Sequence, residues 1–336
     1  MFEIPLLLIV IVITALVFDF TNGAHDCANA IATVVSTKVL TPRMAVSMAA
    51  VLNLLGALLG TEVANTLGSG IVRPEVVAGS HILVLAALIG AIFWNSLTWY
   101  FGIPSSSSHT LIGGLMGAAM AEAGPSALNG LSIIKKVILP LILSPLAGFI
   151  IGFSLMTLVA IIFFRFRRQR VNRFFRKAQV GSAAFMALTH GLNDAQKTMG
   201  VITLALLIFG QIESITVPFW VKLSCALAMG AGTGVGGWKI VKTMGHKIFK
   251  LETAHGASAE TSAALIIACA SAVGAPVSTT HTITACIFGV GSTKRFSAVR
   301  WGIAGNLIIA WILTIPASAC VSALFFFLLS LIFRSG

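Results

Sequence analysis

Acidic side chains are the scarcest feature of this sequence. Only 10 of its 336 residues are Asp or Glu, and three of those are aspartates, Asp19, Asp26 and Asp194; charged residues of both signs make up 10% of the chain. Soluble domains carry about a quarter. With 57% hydrophobic residues and a mean hydropathy of +0.98, the chain reads as an integral membrane protein, which excludes a soluble enzyme. The alternating segments of about ten residues that build a transmembrane barrel are missing, so helices must do the crossing. The five cysteines (Cys27, Cys225, Cys269, Cys286, Cys320) show no C-x-x-C spacing and read as small packing residues. H-E-x-x-H is absent, and no transition-metal site is expected. There is also no G-x-x-x-x-G-K-[ST], and no G-x-G-x-x-G following a strand. Nucleotide chemistry therefore has no residues to carry it, no organic cofactor is called for, and Gly56, Gly60 and "GAGTGVGG" at 230–237 read as close helix packing. The start, "MFEIPLLLIVIVITALVF", has neither a basic n-region nor a small-residue cleavage site and is expected to be retained.

Basic residues outnumber acidic ones, giving a net charge of +12, and their largest cluster is "RFRRQRVNRFFRK" at 165–177. It directly follows an apolar segment, as a positive-inside loop does, so contact with anionic lipid is expected and nucleic-acid binding is not. Before it, apolar segments fall near 4–37, 41–60, 81–101, 104–121 and 137–164; after it, near 178–210, 217–236, 257–275, 276–292 and 301–333. The first of each set is long enough for two half-helices around a break, so about 10–12 membrane segments are expected.

The two sets also match in sequence, in the same order. "TNGAHDCANAIA" at 21–32 and "THGLNDAQKTMG" at 189–200 share a Thr-x-Gly-x-x-Asp frame 168 positions apart. "GTEVANTLG" faces "GTGVGGWKIVKTMG", and "FGIPSSSSHT" faces "VGAPVSTTHT" at an offset of 172. An odd number of crossings per copy inserts the second copy upside down. The expected fold is an all-α inverted-repeat bundle with broken helices and re-entrant hairpins: repeats at 1–164 and 178–336, joined by a basic cytoplasmic linker at 165–177. Both termini then lie outside. Lys38, Arg43, Lys239, Lys242, Lys247, Lys250, Lys294, Arg295 and Arg300 fall inside, against Arg73, Lys135 and Lys136 outside.

An ionisable group at the bilayer centre costs from about 2.5 to well over 10 kcal/mol, so Asp26 and Asp194 are functional candidates, placed by the repeat near a pseudo-two-fold axis. Asn22, Gly23 and Asn29 surround the first; Gly191, Asn193 and Thr198 surround the second. This composition predicts an unwound turn whose carbonyls, with carboxylate and amide oxygens, suit Na⁺ at Asp26 and Asp194. A carboxylate alone could carry H⁺, and the freed half-helix N-termini would face an anion. The second repeated element, "PSSSSHT" at 104–110 and "PVSTTHT" at 276–282, predicts helix starts with proline in the first turn and capping hydroxyls. Ser105, Ser106, Ser107, Ser108, Ser278, Thr279 and Thr280 offer dense donors to a tetrahedral oxyanion. His109 and His281 form a symmetrical pair suited to structural hydrogen bonds, with coupling or gating as the alternative. Glu260 enters an apolar helix with no evident partner and is a further coupling or gating candidate.

In type and order these paired motifs resemble those of the inorganic phosphate transporter family of secondary carriers, whose duplicated signature is Gly-x-Asn-Asp-x-x-Asn-Ala. "GAHDCANA" at 23–30 matches it with His25 in place of asparagine, and "GLNDAQKT" at 191–198 keeps Asn193-Asp194 but has Lys197 where the first copy has Asn29. The P-x-S-x-x-H elements at 104–109 and 276–281 match the family's second repeated element, and Glu260 matches an acid preceding the second one. The resemblance covers essentially the whole chain. It implies a multi-pass cell-membrane symporter that carries inorganic phosphate inward with Na⁺ or H⁺ by alternating access. Asp26, Asn29, Asn22, Asp194 and Asn193 would hold cations, and Ser105, Ser106, Ser107, Ser278, Thr279, Thr280 and Lys197 would hold phosphate. Entry of an anion into a negative-inside cell costs about 2.3 kcal/mol per charge per 100 mV, which independently calls for accompanying cations. Lys197, one helical turn from Asp194, is expected to pair with it in the empty site and to turn toward phosphate in the loaded one. A sulfate or related oxyanion permease is the second reading, since the same donors suit either anion. A phosphate-binding channel or regulator is the third, and a homo-oligomer stays open.

Overall fold

A computed structural model describes residues 5–73 and 80–334, so the first four residues of the N-terminal segment and the last two of the chain lie outside it. Helix α1 spans Leu6–Ser36, α2 Pro42–Ala57, α3 Glu62–Gly70, α4 His81–Phe101 and α5 Ser107–Ala123. Helix α6 runs Gly130–Phe163 through a π-turn at Ile134–Ile138. The second half holds α7 (Arg168–Ile208), α8 (Phe219–Val235), the short α9 (Trp238–Lys242), α10 (Thr253–Ala272), α11 (Thr279–Ser292) and α12 (Trp301–Arg334). Each of the ten apolar segments of the sequence is a helix. Among the described residues four helices, α1, α4, α6 and α12, are long and apolar enough to cross a bilayer by length and composition.

Two expectations are corrected. The basic stretch 165–177 is not a loop throughout, because α7 begins at Arg168 and only a short turn separates it from α6. Arg and Lys are good helix formers, and nothing in the stretch breaks one. The helices also run unbroken through both aspartate motifs, α1 for 31 residues and α7 for 41. The glycines there admit neighbouring backbones rather than unwind the chain. A Cβ on Gly23 would stand 2.4 Å from the Met229 carbonyl oxygen of α8, and one on Gly191 would stand 2.1 Å from that of Asn53 in α2.

The breaks lie instead in the hairpins α4–α5 and α10–α11. Gly102 and Gly274, each with φ +68°, end the first arm of each hairpin in the left-handed region. The chain then continues through Pro104 or Pro276 to the N-caps Ser106 and Ser278, so the prolines precede the caps instead of sitting in the first turn.

The halves interlock. Helix α2 packs on α7 while α8 packs on α1, and α6 packs on α11 while α12 packs on α5. Two apolar clusters flank a polar layer. Helix α1 gives Leu8, Ile11 and Phe18 to one cluster and Cys27, Ile31 and Val34 to the other, whereas α7 enters them in the opposite order, with Ala183 and Met186 in the second and Met199 and Ile202 in the first. The two aspartate helices therefore run in opposite directions. On the outside, α6 and α12 present Ile142, Leu146, Ile150, Ile308, Ile312 and Leu324, the apolar face that hydrocarbon requires.

Candidate functional site

Both hairpin tips end against the middle of α1 and α7. Ser107 Oγ donates to Asp26 Oδ2 (2.6 Å), and Thr280 Oγ1 donates to Asp26 Oδ1 (3.2 Å). Thr279 Oγ1 donates to Asp194 Oδ2 (2.9 Å). Asn29 Nδ2 donates to the hydroxyls of Thr279 (3.2 Å) and Thr280 (3.0 Å). Lys197 Nζ donates to Asp194 Oδ1, to Ser108 Oγ and to the Val277 carbonyl (3.0 Å). Asp26, His190 and Asp194 each offer a ligand atom, and these lie within 4.8 Å of one another. All of these side chains are buried.

The sequence's hydroxyl candidates divide by role. Ser107, Ser108, Thr279 and Thr280 face the aspartates and Lys197. Ser106 and Ser278 accept from the main-chain N–H of His109 and His281 (3.2 Å each) and are N-caps. Ser105 is turned aside, donating to Thr98 (2.8 Å) and lying 3.3 Å from His25 Nε2. In these contacts Ser105, Ser106 and Ser278 hold the tips in shape, two by sealing a helix start and one by joining a neighbouring side chain. His109 and His281 stack on each other (4.9 Å), and His281 stacks on Trp311 of α12 (4.0 Å), whose Nε1 donates to the Pro104 carbonyl (3.1 Å). The pair thus braces the backs of both tips.

The amides named as cation ligands leave oxygens in reserve. Asn193 spends its nitrogen on Ser271 (2.8 Å), and the Oδ1 atoms of Asn22, Asn29 and Asn193 are buried without a hydrogen-bond partner. Orphaned buried oxygens need an explanation, and oxygen is the ligand type that hard cations such as Na⁺ take.

Glu260 does have partners, contrary to the sequence reading. Thr33 donates to Oε1 and Ser182 to Oε2, while Gln179 Nε2 donates to Oε1 (3.3 Å) and Gln179 Oε1 accepts from Thr37 Oγ1 (2.9 Å). Thr33 and Thr37 continue the polar face of α1 that carries Asn22, Asp26 and Asn29. Gln179 and Ser182 lie on α7, toward its start from Asp194. Thr37 also lines a cavity of about 870 Å³, together with Asn172, Arg168 and Arg176. Several other side chains, not assigned to the site from the sequence, join it. Asp19 accepts from Thr198 (2.9 Å), and His25 Nδ1 lies 2.7 Å from Asp26 Oδ1. His190 Nδ1 is hydrogen-bonded to Asn53 Oδ1 (3.1 Å), and its Nε2 lies 3.1 Å from Asp194 Oδ2. The heptad-like spacing of polar residues on α1 (19, 22, 26, 29, 33) was the signal that could have found Asp19 and Thr33; nothing local marks Asn53 or Trp311.

A helical membrane protein with two opposed hairpins, whose hydroxyl tips close on a pair of buried aspartates, has the architecture of a secondary transporter. The model of the phosphate transporter family matches residues 22–169 and again 165–322, and the chain belongs to that family. It is 49% identical to the "Probable low-affinity inorganic phosphate transporter" of Bacillus subtilis (strain 168), over 98% of each chain. Its identity to the protein of the same description from Rhizobium meliloti (strain 1021) is 48%, over 97% of each. Among solved structures it is similar to "The sodium-dependent phosphate transporter", with a TM-score of 0.89 and 25% identity, covering 97% of this chain and 99% of that one. The relatives named are transporters, not enzymes.

Proposed function

We propose that this protein is a cation-coupled importer of inorganic phosphate that works by alternating access. The observation that carries the reading is the meeting of Asp26 and Asp194, from oppositely directed helices, with Ser107, Ser108, Thr279 and Thr280 at one buried point. The hydroxyls and the helix N-termini behind them suit a tetrahedral oxyanion. The carboxylates, with the unpaired oxygens of Asn22, Asn29 and Asn193, suit coupling cations. Lys197 adds a positive charge beside the tips. Sodium dependence of the structural relative supports Na⁺ as the ion, with H⁺ the other candidate.

The same reading takes 1–164 and 178–336 as inverted repeats that rock against each other, with the basic 165–177 segment cytoplasmic and both termini outside. Glu260 and its partners form the inner part of the route. Labelled phosphate uptake into vesicles, with Na⁺ and pH gradients varied independently, tests it in the wild type, Asp26→Asn and Asp194→Asn. Gradient-driven accumulation lost in both variants is the expected result. Coupled uptake intact in both would overturn the role of the pair, and strong competition by sulfate would shift the substrate to the wider oxyanion class.

A further inference from the structure

Asn29 and Lys197 hold equivalent places, three residues after Asp26 and Asp194 in the two copies of the motif. Their surroundings correspond in part: Ser107 donates to Asp26 as its counterpart Thr279 does to Asp194, while Asn29 donates to Thr279 and Thr280. In the first copy the carboxylate accepts from Ser107 and Thr280, one hydroxyl from each tip, and Asn29 Oδ1 stays buried without a partner. In the second copy Asp194 accepts from Thr279, and the Lys197 ammonium takes three oxygens: Asp194 Oδ1, Ser108 Oγ and the Val277 carbonyl. Carboxylate, hydroxyl and main-chain carbonyl are the donor set of a hard cation in a membrane site. Lys197 is only 2% exposed and its aspartate 0%, so the ammonium is enclosed as an ion would be.

We propose that Lys197 is a tethered cation. Instead of turning toward phosphate, as the sequence led us to expect, its ammonium fills one of two pseudo-equivalent cation places for good, so that of the two carboxylates only Asp26, with Asn29, takes an ion from solution. The proposal rests on the cation-coupled reading above and sets its stoichiometry, at one mobile cation fewer than a site with asparagine in both copies. A bound ammonium neutralises Asp194 at every step, yet it never crosses the membrane and so adds nothing to the driving force.

The test records phosphate uptake and membrane current together in vesicles, which gives the charge moved per phosphate. Lys197→Asn is expected to raise that ratio by one positive charge and to steepen the dependence on the coupling cation, from a Hill slope of about one to about two. An active Lys197→Asn with an unchanged ratio overturns the tether. If that variant is folded but does not transport, Na⁺ bound and protons taken up by the purified protein decide: one ion more than the wild type supports the proposal, and an equal count sinks it. If it does not fold, Asn29→Lys serves. It is expected to lose the remaining ion, and a cation count equal to the wild type's overturns the proposal. Wild-type vesicles with no cation-driven uptake would refute the transport reading, while the ion count would still decide the tether.

Discussion

Thr280, on a hairpin tip in the second half of the chain, donates to Asp26 on the first helix of the first half (3.2 Å). Its neighbour Thr279 donates to Asp194 (2.9 Å), so one tip serves both aspartates through two consecutive residues. Adjacent residues at a helix start point in different directions. That is how a single turn of α11 reaches two helices.

Thr279→Val and Thr280→Val keep shape and remove one donor each. A hydrogen bond to a charged group contributes about 1.5–3 kcal/mol, so initial uptake rates at low phosphate should fall about 10- to 100-fold for each. Serine at the same positions should restore most of the rate. Equal rates in the valine and serine variants would show that the hydroxyls are not used.

Glu260 accepts from three side chains, and the two substitutions should separate its charge from its packing. Glu260→Ala orphans those donors and should destabilise by about 1–3 kcal/mol, read as a lower thermal midpoint in detergent. Glu260→Gln should keep more of that stability but lose at least about tenfold in coupled uptake, the size expected of a removed charge-assisted bond. Full activity in Glu260→Gln would remove the residue from the coupling route.

Two glycines of α7 make a controlled pair. At Gly191 a Cβ would meet the Asn53 carbonyl oxygen at 2.1 Å, whereas at Gly181 it meets nothing within 4 Å. Gly191→Ala should destabilise by about 1–3 kcal/mol through overpacking, and Gly181→Ala should be neutral or stabilise by about 0.5–1 kcal/mol through lower backbone entropy. Thermal unfolding of both variants checks the contrast.

Trp311 supports the tips from behind, by a bond to the Pro104 carbonyl and by stacking on His281. Trp311→Phe keeps a ring and loses the bond, which should weaken apparent phosphate affinity only a few-fold, consistent with about 0.5–1.5 kcal/mol. Trp311→Ala removes both and should do clearly more. Identical phosphate dependence in the two variants would exclude this bracing role.

Much of the site was legible because it is local. Asp26 and Asp194 stand out as carboxylates in apolar surroundings, and Ser106 and Ser278 are set by the Pro-x-Ser pattern before a helix. The unwound turn at the aspartates was misread because glycine admits two outcomes, a broken helix or a close neighbour. Only the partner backbones of α2 and α8 choose between them. Glu260 appeared alone for the same reason, as Thr33 and Ser182 come from helices far away in the chain.

The sequence by itself determined that this is a helical membrane protein, that its two halves repeat one plan, and which few polar residues would have to be sheltered together. Those properties follow from composition and spacing. The tertiary structure alone decided that α1 and α7 stay continuous, that the α11 tip reaches both aspartates while the α5 tip reaches Asp26 and Lys197, and that Lys197 comes to rest among Asp194, Ser108 and the Val277 carbonyl. Such pairings depend on which distant surfaces interlock, and helix packing, not local periodicity, settles that.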